Sequence, residues 1–196
     1  MLRIFYRTCL YMVTLITPGL AIPAPATAVA VDEHPATVAE KMLAGIHQAT
    51  WVQEGKGPHV VYIFFDPDCP YCHQIYVDTR DWIKRDAMEF RWIPVGVLTV
   101  TSPGKAAAIL AAKDPLKAFY QNEEHFARGE GGGGIDEALV MEDKTKKALD
   151  MNASLLRLSG FDAVPTLLFR ADNGEAVVIR GAPPGDKLKQ ILGYVK

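Results

Sequence analysis

Apolar positions along this chain switch repeatedly between helical and strand-like spacing. The segment 35–49, PATVAEKMLAGIHQA, has helical composition with Val38, Met42 and Ile46 on one face, and TWVQEGKGP then brings β-prone residues and a turn. HVVYIFFD, 59–66, is an almost continuous apolar run bounded by Gly-Pro and Asp-Pro, as expected of a strand covered on both faces. Helical spacing resumes at Cys69 and runs to about Arg85, with Ile75, Trp82 and Ile83 on the apolar side. EFRWIPVGVL, 89–98, reads as a second apolar strand.

From Thr99 to Gly160 the pattern is helical with interruptions: GKAAAILAAK, PLKAFYQNEEHFARG and EDKTKKALDMNASLLRLSG. The glycine run GEGGGG, 129–134, reads as a flexible loop between two of these helices. No Gly-Lys-Ser/Thr follows it and no strand precedes it, so it lacks the marks of a phosphate loop. VPTLLFR and EAVVIR flank ADNG, a hairpin signal. PGDKLKQILGYV closes the chain as a helix whose Leu188, Ile191 and Leu192 face the sheet, and there is no internal repeat. This order of elements predicts an α/β fold: a central sheet with helices on both faces, opening with a right-handed β-α-β crossover.

The N-terminus stands apart. Arg3 and Arg7 precede the largely apolar TCLYMVTLITPGLAI, and Ala26 and Ala28 form a small-x-small cleavage pattern, which predicts a secretory signal peptide over 1–28, cut after Ala28. A membrane anchor fits less well, because Pro18, Gly19 and Pro23 interrupt a segment already short of the roughly 20 apolar residues that span a bilayer. The remainder divides into an N-terminal helix and lead-in strand, 29–57, and one domain over 58–196 with a helical insertion at about 99–160. The formal charge of −2 is mild, and no lysine-arginine run marks a nucleic-acid footprint or a polybasic lipid-binding segment.

Of 3 cysteines, Cys9 departs with the signal, leaving Cys69 and Cys72 in DPDCPYCHQ. The pair sits at the carboxyl end of a strand and the N-terminus of a helix, where unpaired N–H groups and a partial positive charge favour a thiolate. Cysteines so placed in Cys-X-X-Cys motifs have pKa values of roughly 3.5 to 7.5, against about 8.5 for a free thiol. As a structural staple the pair closes a loop of about four residues, for which loop entropy gives only about 2 kcal/mol. As a metal site it supplies two thiolates where zinc takes three or four protein ligands, and His73 points about 100 degrees around the helix from Cys72. As a redox pair it has the parts required: an exposed thiol at the helix start to attack, and another one turn later to resolve the mixed disulfide.

Three stretches, VVYIFFDPDCPYCHQ, PVGVLTVTSPGKAAAILAAKDP and FDAVPTLLFR, resemble the catalytic domain of the DsbG and DsbC family of periplasmic thiol:disulfide interchange proteins, over about residues 50–196. The resemblance implies a thioredoxin fold with a helical insertion, no cofactor, and a periplasmic location. It implies Cys69 as nucleophile, Cys72 as resolving thiol, and Pro165 as a cis-proline facing them. Client proteins bearing cysteines would be met at Val164, Pro165, Pro70 and Tyr71, and a membrane redox partner would reset the pair. Read from the residues alone, Pro165 is an ordinary trans proline at a strand start, where its missing N–H excludes a central ladder position unless the chain turns.

Three departures shape the expectation. About 30 residues separate the predicted signal peptide from the domain over 58–196, where that family carries an N-terminal dimerisation domain, and a single-domain monomer is expected. Val164 stands where DsbG and DsbC carry threonine and resembles DsbA instead. Asp68 stands where DsbG is apolar; its expected roles are helix cap and opponent of the Cys69 thiolate, with partly protonated His73 acting the other way. The expected activity is therefore DsbG-like reduction or isomerisation of protein disulfides, the alternatives being a DsbA-like dithiol oxidase, a sulfenic acid reductase, and a chaperone with incidental thiols.

Overall fold

The computed structural model describes residues 36–127, 129 and 131–196. The predicted signal peptide and its cleavage site lie outside them. Five strands form one mixed sheet in the order β1-β3-β2-β4-β5: β1 Val52–Gly55, β2 His59–Phe65, β3 Met88–Pro94, β4 Thr166–Arg170 and β5 Ala176–Arg180. Strand β2 lies at the centre, parallel to β3 with Ile63 opposite Trp92, and antiparallel to β4 with Ile63 opposite Leu167. Helix α2, Pro70–Lys84, connects β2 to β3.

Side-chain alternation along β2 builds a core on each face. Val61, Ile63 and Phe65 join Trp92, Leu167, α2 residues Ile75 and Tyr76, and Leu188 and Leu192 of helix α6, Gly185–Leu192. Phe64 turns to the other face, meeting Met42 of helix α1, Val38–Gly45, and Leu155 and Leu156 of helix α5, Asp143–Arg157. The buried stripe of α1 is Ala39, Met42 and Ile46; Val38, expected in it, opens the helix and stays 40% exposed.

Between β3 and β4 the chain forms α3, Ser102–Ala111, α4, Pro115–Glu124, and α5. Both α3 and α4 start at a proline-containing first turn, and Asp114 caps α4 by accepting from the Lys117 N–H at 3.1 Å. Helix α3 packs its fully buried Ala106 and Ala107 near Leu149 of α5. Strand β3 ends at Pro94, short of the expected residue 98. The physical reason is Asp66, whose Oδ2 accepts from the N–H groups of Val97 and Leu98 at 2.7 and 3.1 Å and draws the chain out of the sheet. Among the described residues no helix is long and apolar enough to cross a membrane.

Candidate functional site

The dithiol lies where β2 gives way to α2. Cys69 occupies the N-cap in extended conformation, and its Sγ accepts from the Cys72 N–H at 3.3 Å, one of the donors a helix start leaves unpaired. Pro70 follows in the first helical turn, where a missing N–H does no harm. The cap is thus Cys69 itself and not Asp68, because a carboxylate engaged elsewhere cannot also meet the helix.

The two thiols, both free, differ in environment. A hydrogen bond from the Cys72 thiol holds the Cys69 pKa down against burial, helped by the N–H groups of Cys72 and Tyr71, while the Asp66 carboxylate opposes. Burial drives the Cys72 thiol well above its ordinary range, with its hydrogen bond to Cys69 and the charges of Cys69 and Glu123 adding to the effect. The expectation of an exposed Cys69 is corrected: it is 2% exposed and Cys72 1%. Across the site the Val164–Pro165 peptide is cis, and the Val164 carbonyl accepts from Cys69 Sγ at 3.7 Å. Val164 is half-buried and Pro165 buried; Pro70 and Tyr71 are exposed at the rim, Tyr71 at 67%.

Asp68 is held by α3 and by the glycine run. Lys105 Nζ donates to Asp68 Oδ1 at 2.6 Å and to the carbonyls of Gly133, at 2.8 Å, and Gly131. Asp68 Oδ2 accepts from the hydroxyls of Thr99 and Thr101 at 2.7 and 2.6 Å. Burial works against the Asp68 charge, yet the bonds from Lys105, Thr101 and Thr99 hold its pKa below the usual value. The glycine run is therefore no free spacer. Ala127 and Gly132 form an antiparallel bridge, and a Cβ on Gly132 would stand 2.5 Å from Asp68 Oδ1, so only glycine permits the approach. A cleft of about 420 Å³ opens between this hairpin, Pro70 and Phe126.

Helix α4 supplies the second wall. Asn122 Nδ2 donates to the Pro67 carbonyl and to Glu123 Oε1, both at 3.1 Å, fastening the turn that precedes Cys69. Glu123 is 2% exposed, and burial raises its pKa despite bonds from His73 and Asn122. His73 Nδ1 lies 3.1 Å from Glu123 Oε2, and its ring stacks on Phe126 with centroids 4.5 Å apart. His73 is thus engaged by α4, and the carboxylate bearing on Cys69 is that of Asp66.

Cys69, Cys72, Val164 and Pro165 come together, with Asp68 and His73 bordering the pair through other partners. Sequence reasoning missed Asp66, Lys105, Asn122, Glu123 and the hairpin. Its one available signal was six residues of near-pure glycine, which signify close backbone approach as readily as looseness. Among the described residues no group of three or more His, Cys, Asp or Glu side chains is placed to hold a metal ion. A thiol held toward its charged form beside a buried, protonated one is an arrangement suited to thiol-disulfide exchange.

Known proteins match this picture. DsbG of Pseudomonas aeruginosa, a thiol:disulfide interchange protein, is 32% identical over 160 residues, which cover 81% of this chain and 61% of that one. DsbG of Escherichia coli is 32% identical over 162 residues, 81% of this chain and 63% of its own. The chain therefore spans less than two thirds of the length of these relatives. Among solved structures, the catalytic domain of ScsC from Proteus mirabilis superposes with a TM-score of 0.59 at 20% identity, covering 78% of this chain and 96% of that one, a likeness of fold. The thioredoxin-like domain family's model matches residues 46–196, from the turn after α1 to the last residue, and the chain belongs to that family.

Proposed function

We propose that this protein is an exported thiol:disulfide oxidoreductase that exchanges disulfides with cysteine-containing client proteins in the periplasm, as a DsbG-like reductase or isomerase. The observation that carries the reading is the unequal placing of the pair: Cys69 caps the helix with its Sγ accepting from the Cys72 N–H and its pKa lowered, while Cys72 lies one turn in with its pKa raised by burial. In the reductive direction the Cys69 thiolate attacks a client disulfide, forming a Cys69–client bond and releasing one client thiolate. Cys72 then loses its proton and attacks the Cys69 sulfur. A Cys69–Cys72 disulfide forms, the second client thiolate leaves, and two electrons have passed to the client. A membrane partner restores the dithiol, and no cofactor takes part. Val164, Pro165, Pro70 and Tyr71 receive the client. The signal peptide over 1–28 and a monomeric state belong to the same proposal, light scattering reading the latter.

A second reading, a dithiol oxidase, is favoured by Val164, which brings no side-chain hydroxyl to Cys69, and by the stabilised Cys69 thiolate. The reduction potential separates the two: about −120 mV, as in DsbA, marks an oxidant and about −270 mV, as in thioredoxin, a reductant. The test of the roles is trapping. Cys69→Ser abolishes insulin reduction, whereas Cys72→Ser accumulates mixed disulfides with clients. Equal trapping by both variants overturns the assignment.

A further inference from the structure

We infer that Lys105 is a positioning residue for the dithiol: it holds the Asp68 carboxylate in a bonded cradle and keeps that charge from bearing on Cys69, its neighbour in the chain. The inference rests on the dithiol reading above. Nothing in the sequence sets Lys105 apart, since it lies in the first turn of an alanine-rich helix and looks like one more surface cation.

Its surroundings argue otherwise. The side chain is 9% exposed, and its ammonium meets three acceptors: Asp68 Oδ1 and the carbonyls of Gly131 and Gly133. An ammonium has three protons to donate, so each has a protein acceptor. The helix carrying it is fixed by the buried methyls of Ala106 and Ala107 against α5. Asp68 completes the cradle with bonds from Thr99, Thr101 and Ser102 and from the Gly133 N–H at 3.2 Å.

The site contains its own comparison. Two carboxylates flank the approach to Cys69. Asp66 is bonded by the N–H groups of Asp68, Val97 and Leu98 and by the Ser102 hydroxyl, with no cation paired to it among the described residues, and its charge opposes ionisation of Cys69. Asp68 stands closer in sequence to Cys69 but has a lysine against it. The pairing cancels a like charge that would otherwise work against the thiolate, and in a buried setting such a charge weighs heavily. The other titratable groups around the thiols are Asp66 at the end of β2, His73 on α2 and Glu123 on α4. The variants below leave all three in place.

The experiment uses the reduced full chain and compares the parent with Lys105→Met, Asp68→Asn and the double variant. The readout is the pH dependence of Cys69 alkylation by iodoacetamide, with near-UV circular dichroism reporting the fold. Lys105→Met leaves Asp68 uncompensated and moves the alkylation midpoint up by about one pH unit, a tenfold loss of thiolate below the midpoint. Asp68→Asn leaves Lys105 uncompensated and moves it down by a similar amount. The double variant returns to within about 0.3 unit of the parent, since the two charges cancel. Singles that fold and shift in the same direction, or not at all, overturn the inference and reduce Lys105 to a structural strut. If Lys105→Met does not fold, Asp68→Asn against the double variant decides: a return upward supports the inference and identical midpoints overturn it. Alkylation needs no client. Opposite shifts in a chain that fails to reduce insulin would sink the reductase reading alone, and a chain that reduces insulin without the shifts would sink this inference alone.

Discussion

Replacing Gly133 by alanine puts a methyl group where Asn122 already stands. Its Cβ would lie 1.9 Å from Asn122 Oδ1 and 2.5 Å from Cγ and Nδ2, and Asn122 is fully buried. Something must move by more than 1 Å, for overpacking of a filled interior typically costs about 1–3 kcal/mol. The side chain that yields also carries two bonds, to the Pro67 carbonyl and to Glu123 Oε1, each contributing about 1 kcal/mol. Taken together, the loss is about 3–5 kcal/mol. At roughly 2–4 °C per kcal/mol for a chain of this size, the melting temperature falls by about 6–20 °C. Because Pro67 precedes the dithiol by two residues, insulin reduction should fall even at temperatures where the variant is folded. Gly185→Ala is the control: its new methyl meets nothing nearer than 3.4 Å, and it should melt within about 2 °C of the parent. Thermal melts by circular dichroism, with insulin turbidity at 25 °C, read both quantities. A Gly133→Ala protein that melts and turns over like the parent would refute the packed hairpin and restore the loose-spacer view of the glycine run.

Two further outcomes follow from the buried acid and from the loop opposite the thiols. Burial raises the Glu123 pKa above its unfolded value of 4.5, so its contribution to stability is fully present below that value and is lost as pH rises through the folded pKa. Glu123→Gln removes this dependence, so urea unfolding at a series of pH values should show the variant gaining on the parent as pH rises above 4.5; a constant difference would refute the raised pKa. Val164→Thr places a hydroxyl beside Cys69 Sγ, which already meets the Val164 carbonyl at 3.7 Å. Equilibration with glutathione should show the reduction potential moved by some tens of millivolts, on the order of 1–2 kcal/mol, and an unchanged value would remove the Val164 side chain from the site.

Strand and helix patterns were legible because burial on two faces imprints itself locally: the run HVVYIFF reads as a strand covered on both faces, and it forms β2 at the middle of the sheet. The thiol pair and its helix were legible because Asp-Pro, the cysteines and the apolar helical spacing that follows occupy one short stretch. What escaped was everything built across distance. Lys105 lies 37 residues from Asp68, and Glu123 lies 50 from His73. Neither residue type hints at burial, because lysine and glutamate in helices usually face solvent. Asp68 was misread for a related reason: next to a helix start, an aspartate is most often its cap, and only the fold shows that the carboxylate is already taken. Exposure of Cys69 was inferred from its place at a helix end, whereas its cover comes from Val164, 95 residues later.

That separation bears on how the protein is born. Synthesis runs from the N-terminus at about 5–20 residues per second, so Cys69 emerges roughly 5–20 s before Val164 exists to cover it. The central strand waits equally long for one of its partners, since Val61 pairs with Phe169. During that interval Cys69 and Cys72 lack the buried setting that makes them unequal. The half-made protein is therefore a substrate for the very class of reaction that the finished one is proposed to perform, and its early life depends on the thiol chemistry of whatever compartment receives it.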